Sequence, residues 1–510
     1  MQRRVIKYEN FRGGEYGRVE AWNAPPNSWT GQNMIVYRTG ELGVRPGLKN
    51  ISPSSGLPAG KIRTFGGSPS VPQNFWVHKD SDSKFYTFNA GALATASAAA
   101  TAGAQTAPGD WFIDSGQLYY TAEGLTNSYF IDIQGAVTPV VTALTGSPSG
   151  RCIVQYGDRT VIGNITGSLD NRLRFSDPAN KNSWPSANFI DVGDSWGVNS
   201  LHAQRQHLLI VKQEQHFVMT GVPGVNPVLR KVNTGQAGFR SGMVAMGDHD
   251  LTYGWPTNEN YPYTFNGSNQ QDMEHLAEWL VYGGNADAFP CTDPGVAPIV
   301  GKNKGAAYFQ GTSNRGLLLV NGTWSKHVYG VTVGGAGLVG NNRWASGYHS
   351  VTVSDGGTAG TVAKFYSLNT EAISPGLESN TSMRAGDDSS TALTGNVTFP
   401  EWWSESGSEI RVRSVIVDFR KWDTGSATTN HFDLKVDMLR RYDNTSPTSS
   451  NTVSFDQAAA SASTSGVIDR RVFGFGEQGV GNGFQLVFTN VRGIAIQRIE
   501  VVLDIDQVRV

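Results

Sequence analysis

The sequence predicts an all-β protein: an irregular β-propeller core with an additional C-terminal antiparallel β-sandwich-like domain. Three observations carry that expectation. Between Gln155 and Gly221 the chain runs as hairpin after hairpin, with apolar residues alternating with polar ones and Gly, Asp or Pro at the turns. Gly accounts for 61 of 510 residues while charged residues make up only 16%, the profile of many short strands joined by tight turns. From about Ser379 a Ser/Thr/Asp/Gly stretch leads into long, closely alternating strands.

Taken in order, residues 1–50 read as an irregular N-terminal arm or closing strand, with turns at Phe11-Arg12-Gly13-Gly14 and Asn23-Ala24-Pro25-Pro26-Asn27 before a strand at Met34 to Tyr37. Residues 51–378 read as the propeller-like domain. Its first clear hairpin pairs Asn74 to His78 with Lys84 to Phe88 across Asp80-Ser81-Asp82-Ser83. The Ala-, Thr- and Gly-rich stretch 89–109 lacks large apolar residues and reads as an exposed loop. Strands resume at Trp111, Gln117 and Tyr129. Val154 to Gly163 is a strand, a Gly157-Asp158 turn and a strand; Asn171 to Phe175 ends in Ser176-Asp177-Pro178; His207 to Lys212 pairs with His216 to Gly221. No period of about 40 residues can be aligned. One helix-like stretch, Gln271 to Val281, places Met273, Leu276 and Leu280 at helical spacing. A linker at 379–395 precedes the C-terminal domain, 396–510, with strands from Ile410, His431, Arg470, Phe484 and Ile496 and a mobile Ser/Ala loop from Ser446 to Gly466.

Asn171-Arg172-Leu173-Arg174-Phe175-Ser176-Asp177-Pro178, then Trp184-Pro185, Asp191-Val192-Gly193 and the paired Leu208 to Lys212 and Phe217 to Gly221, resemble the middle of the tail nozzle, or tail tubular protein B-like, family of short-tailed bacteriophages. Gly40-Glu41-Leu42-Gly43-Val44-Arg45-Pro46-Gly47-Leu48 is similar to a second element of that family, and Gly483 to Asn490 with Ile496 to Val502 to its closing strands. The resemblance implies a virion structural protein, a subunit of a hexameric nozzle ring that continues the DNA-ejection channel below portal and adaptor. Its partners would be other copies of the chain, adaptor or head–tail connector proteins, tail fibres or spikes, and double-stranded DNA in passage. Synthesis in the host cytoplasm and residence in the virion tail follow. The alternatives are a tail-borne carbohydrate-binding or glycan-hydrolysing β-propeller and a head-closure or stabilisation protein.

Composition is consistent with the first reading. The formal net charge is −2, so no global positive field exists to hold nucleic acid. A conduit wall is better slightly acidic than basic, because a basic wall would stall the passing duplex. Aromatic residues, 10% of the chain, suit subunit contacts. No apolar signal region and no run of about 18 apolar residues occurs, so neither secretion nor membrane insertion is expected. Cys152 and Cys291 stand far apart without metal-ligand spacing.

No catalytic, cofactor-binding or metal site is expected. His202, His207 and His216, with Asp191 and Asp194 upstream, could suggest a metal, but the histidines flank a hairpin and specify no facial triad. Gly247-Asp248-His249-Asp250 is a turn, and Asp80-Ser81-Asp82-Ser83 lacks the later Gly and distal Glu of a calcium loop. Glu401, Glu405 and Glu409 beside Trp402-Trp403 form the nearest approach to a glycosidase pair. A polar rim explains them more simply. Ser176-Asp177 with Trp184 reads as a turn cap with the indole packed beneath. Arg45-Pro46-Gly47 reads as a structural turn, and the Asn164, Asn321 and Asn380 triplets as chance glycosylation motifs.

Overall fold

The computed structural model describes residues 2–15, 24–25, 27–37, 40–45, 48–50, 62–68, 71–79, 83–89, 92–101, 103, 105, 109–132, 140–167, 169–193, 196–204, 206–212, 215–232, 244–246, 251–254, 263–272, 307–310, 315–320, 323–328, 350–355, 364–369, 393–404, 407–421, 429–440, 447–458, 467–475 and 480–506. The chain divides into two compact units, 50–315 with 332–367, and 1–49 with 316–331 and 368–510.

Among the described residues of the first of these units, five antiparallel sheets each use four consecutive strands, and their first strands begin at Ile62, Asp110, Gly150, Val198 and Val244. Repetition of one meander at this spacing is the blade pattern of a β-propeller. Tight turns make each meander possible. Tyr156 faces Arg159 across Gly157-Asp158, and the φ of +62° at Gly157 places the glycine at the first central position of a II′ turn. Asp114 faces Gln117 across Ser115 and Gly116, both at positive φ, which is the I′ alternative.

Successive sheets bury their faces against one another. Tyr119 of the Asp110 sheet clusters with Ile153, Ile162 and Ile165 of the Gly150 sheet. Cys152, Val161 and Leu173 of the Gly150 sheet cluster with Leu201, Leu208 and Met219 of the Val198 sheet. Leu209, Val211 and Val218 then meet Tyr263 and Phe265 of the Val244 sheet. The repeat is thus structural, and each blade fills its interfaces with different side chains.

The other unit is a two-sheet sandwich. One sheet runs Ile468–Gly474, Ile410–Lys421, Ile494–Ile505, Leu42–Val44, Met34–Val36, with Gln2–Glu9 also on Ile494–Ile505. The second contains Thr323–Val328, Ser28–Gln32, Gly395–Thr398, Gly483–Arg492, Thr429–Leu439 and Ser449–Ala458 in that order. Inward residues of both sheets form one core, including Phe419, Phe432, Phe455, Phe488, Ile499 and Leu503.

Four expectations need correction. Residues 1–49 are not a separate arm: Gln2–Glu9 pairs with Ile494–Ile505 from Gln2 opposite Ile505 to Glu9 opposite Arg498. Arg3, Arg4 and Lys7 break the apolar alternation, which is why this strand does not read as one. Residues 316–331 and 368–378, inside the span 51–378 expected to be propeller, belong with the sandwich unit. The stretch 89–109 is not simply a loop, because Ala92–Ala100 pairs with Lys84–Asn89 at the edge of the Ile62 sheet. An edge strand needs backbone partners on one side only, and Ala92–Ala100 contains no Gly or Pro to interrupt it. Within Ser446 to Gly466, Ser449–Ala458 forms a full antiparallel partner of Thr429–Leu439.

The helix expected at Gln271 to Val281 begins inside the strand Gln270–Asp272, and Met273 to Val281 lie outside the described residues. The linker 379–395 ends in Gly395, the first residue of a strand, and 379–392 lie outside the described residues.

Candidate functional site

The segment with the sequence signature, 171–193, is a fastening between blades. Asp177 caps its own loop: its carboxylate accepts hydrogen bonds from Ser183 Oγ (2.5 Å) and Asn188 Nδ2 (3.0 Å), and its N–H donates to the Ser183 carbonyl (2.9 Å). Ser176 is buried, accepts from the Thr160 N–H through Oγ (3.0 Å), and receives Arg159 Nη1 on its carbonyl (2.6 Å). Arg174 Nη2 donates to the carbonyls of Trp184 and Pro185, both at 3.0 Å. The Trp184 indole, 6% exposed, donates to the Lys181 carbonyl (2.8 Å) and packs among Tyr119, Ile153 and Ile162.

Lys181 completes the link to the neighbouring blade. Its ammonium pairs with Asp114 and lies 4.6 Å from the centroid of Tyr119, which stacks on Phe112 at 4.8 Å. The Lys181 hydrogen bond holds the Asp114 carboxyl below its ordinary range. Burial, with the Asp114 charge nearby, pushes the Tyr119 phenol up.

A second fastening lies at Asp110, which is fully buried. Oδ1 accepts the Trp111 N–H (2.8 Å) and Oδ2 the Ile153 N–H of the next blade (3.0 Å). Arg151 adds an ion pair to Glu123 at 2.8 Å. None of these side chains stands out in the sequence, because their partners lie on other blades.

The histidines do not converge. His216 and His207 sit at opposite ends of one strand pair, facing Val211 and Thr220. His202 is buried with Nε2 at 3.3 Å from Ser200 Oγ. His216 stacks on Phe265 (4.4 Å between centroids), has Nε2 at 2.9 Å from the Tyr263 hydroxyl, and is pushed down to about 3 by burial. Asp191 instead forms a bidentate pair with Arg172, at 2.6 and 2.9 Å. Among the described residues, no group of three His, Cys, Asp or Glu could hold a metal ion. Asp194, Asp80 to Asp82, Gly247 to Asp250, Cys291, Asn321 and Asn380 lie outside the described residues.

The depressed His216 predicts an acid limb. The unfolded imidazole takes a proton near 6.5 and the folded one only near 3. This contribution to stability is therefore present above pH 6.5 and lost as pH falls toward 3, at up to about 1.4 kcal/mol per pH unit. His327, also held well below its ordinary value by burial and the Arg45 charge, acts in the same direction. His216→Phe should flatten the fall in denaturation midpoint between pH 7 and pH 4; parallel curves for variant and parent would contradict it.

In the sandwich, Glu401 accepts a hydrogen bond from its near neighbour Trp403 (Nε1 to Oε2, 3.0 Å), and Trp402 stacks on Phe484 at 5.6 Å. The Glu409 carbonyl accepts the Asp506 N–H. Glu405 lies outside the described residues. The Gly40 to Arg45 element is equally structural. Glu41 is buried and accepts from Arg420 Nη2 at 2.9 Å and Nε at 3.2 Å. A Cβ on Gly43 would come within 2.7 Å of Tyr37 and 2.8 Å of Ala495. Arg45 is buried as well; Pro46 and Gly47 lie outside the described residues. Asn164 Nδ2 is bonded to the Val198 carbonyl (3.0 Å), and Cys152 is buried. No helix among the described residues is long and apolar enough to cross a membrane.

No family model and no curated protein matches the chain. Among solved structures it is similar to a streptogramin B lyase (11% identity, TM-score 0.42, 63% of this chain and 96% of that one). It is also similar to U3-55K (9% identity, TM-score 0.45, 64% and 99%) and to the WD40 repeats of RRP9 (10% identity, TM-score 0.44, 64% and 99%).

Proposed function

We propose that the chain is a structural subunit of a short phage tail, a nozzle protein that assembles as a hexameric ring, continues the ejection channel and carries no catalytic residues. One observation supports this reading above others. The polar residues of the signature, from Arg172 through Ser176, Asp177 and Trp184 to Asp191, are engaged in holding strands, loops and blades together. A conduit under internal pressure needs fastened blades, whereas a hydrolase needs carboxylates left free to face substrate. In this reading the chain resides in the virion tail, with adaptor proteins and fibres as neighbours.

The test is threefold. Immunogold labelling should place the chain in the tail, the purified protein should form rings by electron microscopy, and host-surface glycan should show no turnover. Detectable turnover abolished by Glu401→Gln or Glu409→Gln would replace this reading with the glycan-hydrolase alternative. Rings in the head–tail neck rather than the tail would favour head closure. The purified ring should bind linear duplex DNA no tighter than about 10⁻⁴ to 10⁻⁶ M at physiological salt; nanomolar binding with a steep salt slope would indicate anchoring instead of passage.

A further inference from the structure

The outer face of the sandwich sheet that contains Gln2–Glu9, Ile494–Ile505, Ile410–Lys421 and Ile468–Gly474 has an apolar centre inside a charged frame. Val472 lies opposite Ile416, and Val5 opposite Val502. Val472 is 64% exposed and Val5 46%. Ile416 and Val502 are partly exposed, and they are diagonal neighbours, since Val502 faces Ser414 two residues away. A row of apolar side chains thus crosses four strands in solvent, where nothing in the sandwich core requires it.

On one side of that row, Asp504 is shared by Arg3 (3.9 Å) and Arg413. On the other, Asp418 is shared by Arg498 (2.6 Å) and Arg470 (3.6 Å). Glu500 is shared by Lys7 (3.7 Å), Arg470 (3.3 Å) and Arg498 (3.5 Å). Each of these carboxylates already serves two or three cations. A guanidinium has five N–H donors and an ammonium three, so the frame has more donors than its carboxylates can accept. Glu9, opposite Arg498 in register, adds a single further carboxylate. The frame is donor-rich on a chain whose formal net charge is −2.

We infer that this face docks a different protein, through a surface that bears carboxylates around a small apolar centre. Interfaces of this anatomy combine an apolar middle with an Arg-rich polar rim. A second copy presenting the same face would bring the same surplus of donors over acceptors and leave it unrelieved. Nucleic acid would satisfy the donors with phosphates but leave the apolar row without a partner.

Docking presupposes the tail reading above, and the experiment separates the two. Purified phage particles are treated with a carbodiimide, which joins an amine directly to a carboxylate it touches, and the products are mapped by mass spectrometry. Lys7 is expected to be joined to an Asp or Glu of another kind of chain. In parallel, Val472→Asp, which adds a carboxylate to a solvent-exposed position, should leave melting temperature and ring formation unchanged yet lower incorporation into particles at least tenfold. Val5→Asp repeats the measurement should the first variant fail to fold.

If the chain is absent from particles, the tail reading falls and docking with it. A chain present at parental level in Val472→Asp or Val5→Asp particles, with Lys7 joined only to its own Glu500, would overturn docking alone. Lys7 joined to a second copy of the chain would assign the face to self-assembly and overturn the inference equally.

Discussion

Phe432→Ala is expected to lower the free energy of unfolding of the sandwich by about 3–5 kcal/mol, the range found when a fully buried phenylalanine is truncated. Phe432 has no exposed surface and lies within ring contact of four phenylalanines: Phe455 stacked at 5.3 Å, Phe419 edge-on at 5.5 Å, Phe473 at 5.6 Å and Phe488 at 5.4 Å. These rings come from both sheets, so a smaller side chain leaves a cavity that neither sheet can close by shifting alone. The measurement is the denaturant midpoint at constant slope. Val472→Ala, on the exposed face, serves as the control and should stay within about 0.5 kcal/mol of the parent. A Phe432→Ala loss below about 1 kcal/mol would mean that the core repacks freely.

Asp110→Ala should cost about 2–6 kcal/mol. The buried carboxylate accepts one N–H from its own blade and one from the next, and its removal leaves both donors without that acceptor, at about 1–3 kcal/mol each. Asp110→Asn should fall between the two, because an amide oxygen can keep one bond while its NH₂ faces the other donor. If the alanine and asparagine variants melt alike and within 0.5 kcal/mol of the parent, on that same scale of about 1–3 kcal/mol per lost bond, Asp110 does not hold the blades together. Hydrogen exchange at the Ile153 amide gives a local readout, since loss of the bond should speed exchange there before the whole unit opens.

Local pairing was legible in the sequence, and long-range pairing was not. The Gly157-Asp158 turn and the flanking alternation specify their hairpin within a dozen residues, and the strands Arg159–Ile165 and Leu169–Phe175 follow in the same way. Hairpins joined in order make a blade, so the propeller class could be read from turns and period alone. Nothing in a single sequence connects Glu41 to Arg420, Asp114 to Lys181 or Asp110 to Ile153. Those pairs are set by which faces meet, and that is decided only when whole sheets stack. The same limit explains the histidines. His202, His207 and His216 are close in the chain, but strand alternation and hairpin register send them to different places. The Ala92–Ala100 strand was missed for the opposite reason: its mostly small residues give no periodic signal, while its backbone pairs with Lys84–Asn89 at Ala92 and again from Ser97 to Ala100.

The pairing of Gln2–Glu9 with Ile494–Ile505 orders events during synthesis. Gln2–Glu9 is synthesised before its partner Ile494–Ile505, so it must wait unpaired while the blades at 62–272 are translated and can already close on themselves. A translation product interrupted before residue 494 has nothing to receive that strand, and its sandwich core lacks Ile494, Ile496, Ile499, Val501 and Leu503 together. The sandwich is therefore completed only once synthesis has passed residue 505, and a shorter product leaves Gln2–Glu9 without its partner strand.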